Sequence, residues 1–314
     1  LLVILAGTAV VKFYILFGLF SGIASGMYWT AYLVLMYDVS TPANRIRFLG
    51  LNTTFFNLAS LAGPAVAGTI IGVMDGLTGY LVTFSLSLIL FVAAAVLSLR
   101  IRSSGFRHKT FYIKLMPLVM RRQPSWLRSL FAYFLWGLFQ GIMLFLPNIM
   151  LYRTVGREDW VGYLTIVFSG LVILSSILIS RYGREENGKL YVLLSSAGIT
   201  VGAAFLFIDF TFWTVAVFMI LFSLGNPLMN NILNNAYYRQ IGLLPLKGQL
   251  RNEAVVMRET FLNAGRVLSI AALLQFAGDL ESARLPLVLF AAALSQLLIV
   301  FLVEAPARQP EESR

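Results

Sequence analysis

The side chains best placed to do chemistry are amides. In SLGNPLMNNILNNAYYRQ (223–240), Asn226, Asn230 and Asn234 recur every fourth residue with Asn231 and Asn235 beside them, so on a helix they share one face. An amide both donates and accepts hydrogen bonds. It suits either a polar solute or a neighbouring helix, and it performs no covalent chemistry of its own. Tyr133, Trp136 and Gln140 follow i, i+3, i+7, which puts two rings and another amide on a second helical face, and Tyr28, Trp29 and Tyr32 form a third group. Such rings stack on apolar or aromatic compounds and attract cations. No catalytic residue is assigned. The chain has no cysteine and a single histidine, His108, in a basic loop, which excludes disulfides, thiolate metal sites and a His cluster. No cofactor is implied, and glycine clusters such as GLTGY lack the Lys-Ser/Thr of a phosphate loop, so ATP drive is unsupported.

The elements that must position these residues are membrane helices. The chain has 314 residues, of which only 12% are charged, and a mean hydropathy of +0.81. A soluble globule needs roughly 25% charge. Apolar runs of about 20 residues, enough to span ~30 Å of hydrocarbon, recur along the chain without two-residue alternation, which predicts an all-α polytopic membrane protein and no barrel. The runs place a partial span at 1–10 and spans near 14–37, 49–73, 80–99, 128–151, 160–180, 189–208, 211–233, 257–277 and 285–303. Because Leu1 falls inside an apolar run without a charged flank, the chain reads as a fragment.

The positive charge of +10 sorts by loop, which speaks for topology and against nucleic acid. Loops 38–48, 100–127, 181–189, 234–256 and 304–314 carry most of the Lys and Arg, including Arg45, Arg47, Arg121, Arg122, Arg181, Arg184, Arg239 and Arg251. The alternate loops carry only Lys12, Arg153, Arg157 and Arg284. The first set is therefore expected in the cytoplasm, with the C-terminus inside a plasma or inner membrane. The divisions expected are a partial N-terminal helical half at 1–99, a basic cytoplasmic linker at 100–127, a six-helix half at 128–303 and a tail at 304–314. The linker reads either as a solvated connection or as an amphipathic piece resting on anionic lipid.

The halves also repeat. NTTFFNLASLAG (52–63) lies over RETFLNAGRVLSI (258–270), matching Thr54 with Thr260, Phe55 with Phe261 and Asn57 with Asn263. LAGPAVAG (61–68) carries Gly63, Pro64 and Gly68, and SRYGREENGK (180–189) carries Arg181, Gly183 and Arg184. Here the sequence resembles the major facilitator superfamily of secondary transporters, in its bacterial drug-efflux-like branch. LAGPAVAG is similar to the Gly-Pro motif of the family's fifth helix, with Ala67 where a second Gly is common. SRYGREENGK is similar to the family's Asp-Arg-x-Gly-Arg loop, with Ser180 in the Asp position. The resemblance implies twelve helices in two halves, with this chain running from the end of the third helix to the twelfth.

It further implies that the fourth, seventh and tenth helices line a substrate cavity, which would assign Trp29, Tyr32, Tyr133, Trp136, Gln140, Asn226, Asn230 and Asn231 to it. Two bland readings stay open: the amides as interhelical glue, and Trp29 with Tyr32 as an interfacial belt. By the family's logic Arg181 and Arg184 meet Asp38, and Glu185 or Glu186 meets Arg45 or Arg47, forming an inside latch. Glu259 and Arg266 on the eleventh helix extend the gating group. Arg266 either joins a polar network with Asn263, touches substrate, or snorkels. Gly18, Gly22 and Gly26 read as packing positions.

The function expected is transport of a small solute by alternating access, with export of amphipathic or drug-like compounds first and uptake of a polar nutrient second. Proton coupling is one open route, although no membrane Arg stands in VKFYILFGLFSG (11–22) where many proton antiporters have one. The partners expected are the bilayer and the solute, with the chain a monomer. A membrane enzyme lacks the carboxylate pair or metal cluster it would need, and a transporter-like sensor that no longer transports is a further alternative.

Overall fold

The computed structural model describes residues 12–74, 77–100, 111–156, 158–245, 250–276 and 284–303. The apolar run at 1–10, the basic residues of 101–110, Arg157, Lys247 and the tail at 304–314 lie outside the described residues. Among those described, the structure is helical without a strand. The helices are α1 Tyr14–Val39, α2 Arg45–Val73, α3 Thr78–Ser98, α4 Met116–Arg122, α5 Pro124–Met143, α6 Leu146–Val155, α7 Glu158–Tyr182, α8 Gly188–Ile208, α9 Phe212–Leu243, α10 Arg251–Phe276, α11 Arg284–Gln296 and α12 Ile299–Leu302. Six of the described helices are long and apolar enough to cross a membrane: α1, α2, α3, α7, α8 and α9.

The other expected spans are modified, each for a visible reason. The run at 128–151 is broken at Leu144 and Phe145 into α5 and α6. Pro147 follows in the first turn of α6, where its missing N–H costs nothing. The run at 285–303 breaks after Gln296, and tighter i→i+3 bonds carry the chain from Leu294 to Phe301. Residues 257–276 of the run at 257–277 form the later part of α10, which starts at Arg251 and brings Arg251, Glu253, Arg258, Glu259 and Arg266 into one helix. α9 outlasts its expected span by ten residues, ending at Leu243 and not at 233, so Asn234 and Asn235 lie within the helix.

The chain forms two compact units, residues 1–38 with 58–109 and residues 39–57 with 110–314. α2 thus begins in the second unit and continues in the first. In the first unit, α1, α3 and the later part of α2 bury few side chains, among them Leu33 and Met36. In the second unit a continuous apolar core of Phe139, Ile142, Phe168, Ile199, Phe218 and Leu289 ties α5, α7, α8, α9 and α11 together. Met116, Val119 and Trp126 anchor α4 and the start of α5 in this unit.

α5 and α10 approach almost backbone to backbone. A Cβ on Gly137 would lie 2.2 Å from the Leu262 carbonyl oxygen, one on Gly265 2.2 Å from that of Phe134, and one on Gly141 2.2 Å from the Ser269 hydroxyl. Only residues without a side chain permit that contact, the small-residue packing of membrane helices. Inside α9, Pro227 cannot donate to the preceding turn. The carbonyl this leaves without its helical donor is that of Ser223, and on the two residues after it neighbouring helices reach the α9 backbone: Ser175 donates to the Leu224 carbonyl and Ser195 to the Gly225 carbonyl, both at 2.7 Å.

Candidate functional site

α5, α9 and α10 of the second unit bring a row of polar side chains together, and the amides divide between two flanks of α9. On the first flank, Gln140 Nε2 donates to Asn226 Oδ1 at 2.8 Å, joining α5 to α9. One turn further, Asn234 Nδ2 donates to Asn230 Oδ1 at 2.8 Å, while the Tyr133 hydroxyl donates to Asn234 Oδ1 at 3.0 Å. Gln140, Asn226 and Asn230 remain half-buried, and Asn234 is buried. Tyr133 and Trp136 pack edge to face, 5.8 Å between centroids, and both are buried, so their rings back the amides and offer no open face.

On the second flank, Asn231 is 1% exposed and donates through Nδ2 to the Ile46 carbonyl at 3.1 Å. The first turn of α2 docks here. The Ser180 hydroxyl donates to the Arg47 carbonyl at 2.9 Å, a Cβ on Gly50 would lie 2.6 Å from the Ser180 Cβ, and the Arg45 guanidinium stands 5.6 Å from the Tyr238 ring centroid. Arg45 also donates to the hydroxyl and carbonyl of Ser40, whereas the Arg47 side chain is exposed.

Beside the first flank stands an ionic cluster whose central residue, Arg258, is not among those expected in the cavity. Arg258 is 4% exposed, and its guanidinium lies over the Tyr133 ring at 4.3 Å from the centroid. Its Nε is 3.8 Å from Glu259 Oε1, beyond hydrogen-bond length, and neither Nε nor Nη1 has a hydrogen-bond acceptor among the described residues. Along the same helix Asn263 Nδ2 bonds the Glu259 carbonyl at 2.9 Å, and Arg266 Nη1 donates to Asn263 Oδ1 at 3.3 Å, so Arg266 and Asn263 do meet. The floor is formed by Tyr237, whose hydroxyl accepts from Trp126 Nε1 at 3.2 Å and donates to the Ala254 carbonyl at 2.6 Å.

The remaining sequence-predicted residues fall in the first unit or elsewhere in the second. Trp29 and Tyr32 are in the first unit, in a cluster with Tyr28, with Trp29 and Tyr32 edge to face at 5.5 Å. Asp38 is half-buried in that unit. Gly63, Pro64 and Gly68 lie within α2, and a Cβ on Gly63 or Gly68 would meet no described atom within 4 Å. Arg181 is exposed over the Tyr182 ring, and the Arg184 backbone N–H reaches the Tyr191 hydroxyl at 3.4 Å. Glu185 pairs with Arg239. No group of three or more His, Cys, Asp or Glu able to hold a metal occurs among the described residues.

Two signals in the sequence point to the ionic cluster: Arg258, Leu262 and Arg266 recur every fourth residue, and Gly137 and Gly141 mark the face of α5 turned to that helix.

Comparison with known proteins settles the family. The model of the Major Facilitator Superfamily matches residues 1–269. The chain belongs to the major facilitator superfamily. It is 31% identical over 304 residues to the uncharacterized protein YqgE of Bacillus subtilis, covering 96% of this chain and 70% of that one. Over 82 residues it is 32% identical to an uncharacterized protein in the sodM 3' region of Geobacillus stearothermophilus, 26% of this chain and 38% of that protein. A member of this superfamily with six membrane-length helices among its described residues is a multi-pass membrane transporter in general outline.

Proposed function

We propose that the protein exports a small amphipathic solute across the cell membrane by alternating access, with its C-terminus in the cytoplasm. The observation that carries this reading is the row of Gln140, Asn226 and Asn230. These amides are half-open, bonded side chain to side chain, and backed by the buried rings of Tyr133 and Trp136. A bond between two amides can be exchanged for a bond to a solute with little net cost, since interhelical pairs in membranes contribute only about 0.6 kcal/mol on average.

Uptake of a polar nutrient is the second reading, favoured by the density of amides. Flux of a fluorescent amphipathic dye through proteoliposomes of the full-length protein, with and without an imposed pH gradient, tests the first. Asn230→Leu is expected to lower that flux about tenfold, the equivalent of one or two lost polar contacts in the pathway. Unchanged flux in the variant would remove the amide row from the pathway. Dye flux that ignores the gradient would remove proton coupling.

A further inference from the structure

A buried guanidinium without a full set of acceptors is costly inside a membrane protein, because the charge has left water and its donors find nothing in return. Arg258 is in that state. It is 4% exposed, two of its nitrogens lack acceptors among the described residues, and its nearest carboxylate oxygen is at 3.8 Å. The face of Tyr133, at 4.3 Å, stabilises the cation without accepting from Nε or Nη1. Arg266, two turns along α10, also has an Nε without an acceptor. Two cations therefore share one nearby carboxylate, Glu259, and the cluster carries a surplus positive charge. The buried carboxylate of α10, Glu253, takes the Tyr112 backbone N–H at 2.7 Å on one oxygen, and its second oxygen has no partner among the described residues.

We propose that Arg258 is the binding site for an anionic group, carboxylate or phosphate, on the transported solute. A planar guanidinium with free N–H groups matches both anions in charge and geometry. The neighbouring polar groups suit a solute that is anionic at one end: Tyr133, beneath the guanidinium, is bonded through its hydroxyl to Asn234, and Asn234 in turn to the half-open Asn230. Glu259 is the carboxylate that a solute anion would displace. Its separation from Arg258 is that of a pair waiting to be exchanged, and binding releases it toward Asn263, whose Nδ2 already lies 3.5 Å from Glu259 Oε2. The inference rests on the transport reading above and narrows it: the polar end of the amphipathic solute is negative, not cationic.

The test uses full-length protein in lipid nanodiscs, with empty nanodiscs as the blank. Four dansyl-labelled probes share one alkyl chain: a carboxylate, a phosphate, the carboxylate's methyl ester and an ammonium. Wild type is expected to bind at least one anion about tenfold more tightly than the ester and the ammonium, and the carboxylate and phosphate arms show which anion is preferred. Arg258→Gln abolishes the preference, and Arg258→Lys keeps part of it. Glu259→Gln, which removes the competing carboxylate, tightens anion binding; a merely structural ion pair would instead lose thermal stability with affinity unchanged. Should Arg258→Gln fail to fold, Asn234→Asp serves, since it keeps the arginine and sets a fixed carboxylate on the Tyr133 hydroxyl; it too is expected to abolish anion binding. Equal binding of all four probes to wild type, anion preference surviving in Arg258→Gln, or no anion binding at all would overturn the site. Proteoliposome flux of the same probes separates the two readings. Movement of the ester or ammonium without anion binding leaves transport standing and removes the anion site. Absence of movement for every probe removes amphipathic transport itself.

Discussion

α5 meets two of its neighbours in opposite ways. Toward α10 it presents glycine, and the backbones touch: added Cβ atoms on Gly137 and Gly265 would lie 2.2 Å from carbonyl oxygens of the facing helix. Toward α9 it presents Tyr133 and Gln140, which reach across to Asn234 and Asn226 with hydrogen bonds between side-chain ends. The first seam has no freedom to slide or open without losing many close contacts at once. The second can break one bond at a time and remake it elsewhere. A transporter needs both properties, a stiff block that moves as a body and a lining that trades partners with its cargo. In this unit one helix supplies both, on adjacent faces.

The sharpest way to break this contrast is to add one methyl group to the stiff seam. Gly137→Ala improves helix propensity by up to about 1 kcal/mol, but its Cβ must displace the Leu262 carbonyl or push the helices apart. A net loss of about 2 kcal/mol is expected, read as a lowered thermal midpoint of the purified protein. A midpoint equal to or above wild type would mean that the glycine contact does not hold the seam.

The polar seam should respond far less. Tyr133→Phe removes the hydroxyl that bonds Asn234 and keeps the ring beneath Arg258. The expected cost is about 0.6 to 1 kcal/mol in the same melting experiment, the range for a single interhelical hydrogen bond. A loss as large as that of Gly137→Ala would make the amide seam as structural as the glycine one and weaken its assignment to the solute pathway.

How far the sequence foretells this arrangement depends on the scale. Apolar run length gives the polytopic helical class and most spans, because the bilayer imposes one length on every crossing. The breaks at Leu144–Phe145 and after Gln296, and the extension of α9 to Leu243, are not legible, since each depends on which neighbour satisfies the backbone. The asparagine stripe is visible, but its division is not. Asn231 faces the Ile46 carbonyl while Asn226 and Asn230 face the opposite flank, and only the docking of α2 decides which is which. Arg258 is marked by its spacing to Arg266, but its burial is not legible, because a charge near a span end ordinarily snorkels to water and nothing local announces that Tyr133 covers it instead.

Glycine spacing gives the clearest case of one signal with two outcomes. Gly18, Gly22 and Gly26 on α1 repeat every four residues as Gly137 and Gly141 do, yet a Cβ on any of the three would meet no described atom within 4 Å. Spacing makes close approach permissible; it does not supply the helix that approaches. Gly22→Ala is chemically the same change as Gly137→Ala, placed where nothing described opposes it. Helix propensity then acts alone, and the expected result is no loss, with a gain of up to about 1 kcal/mol in the melting experiment. Opposite signs for the two alanine variants would establish that contact, not spacing, gives the α5–α10 seam its stiffness. A loss at Gly22 comparable to that at Gly137 would instead show that a helix outside the described residues packs on this face of α1, and that both glycine rows are seams.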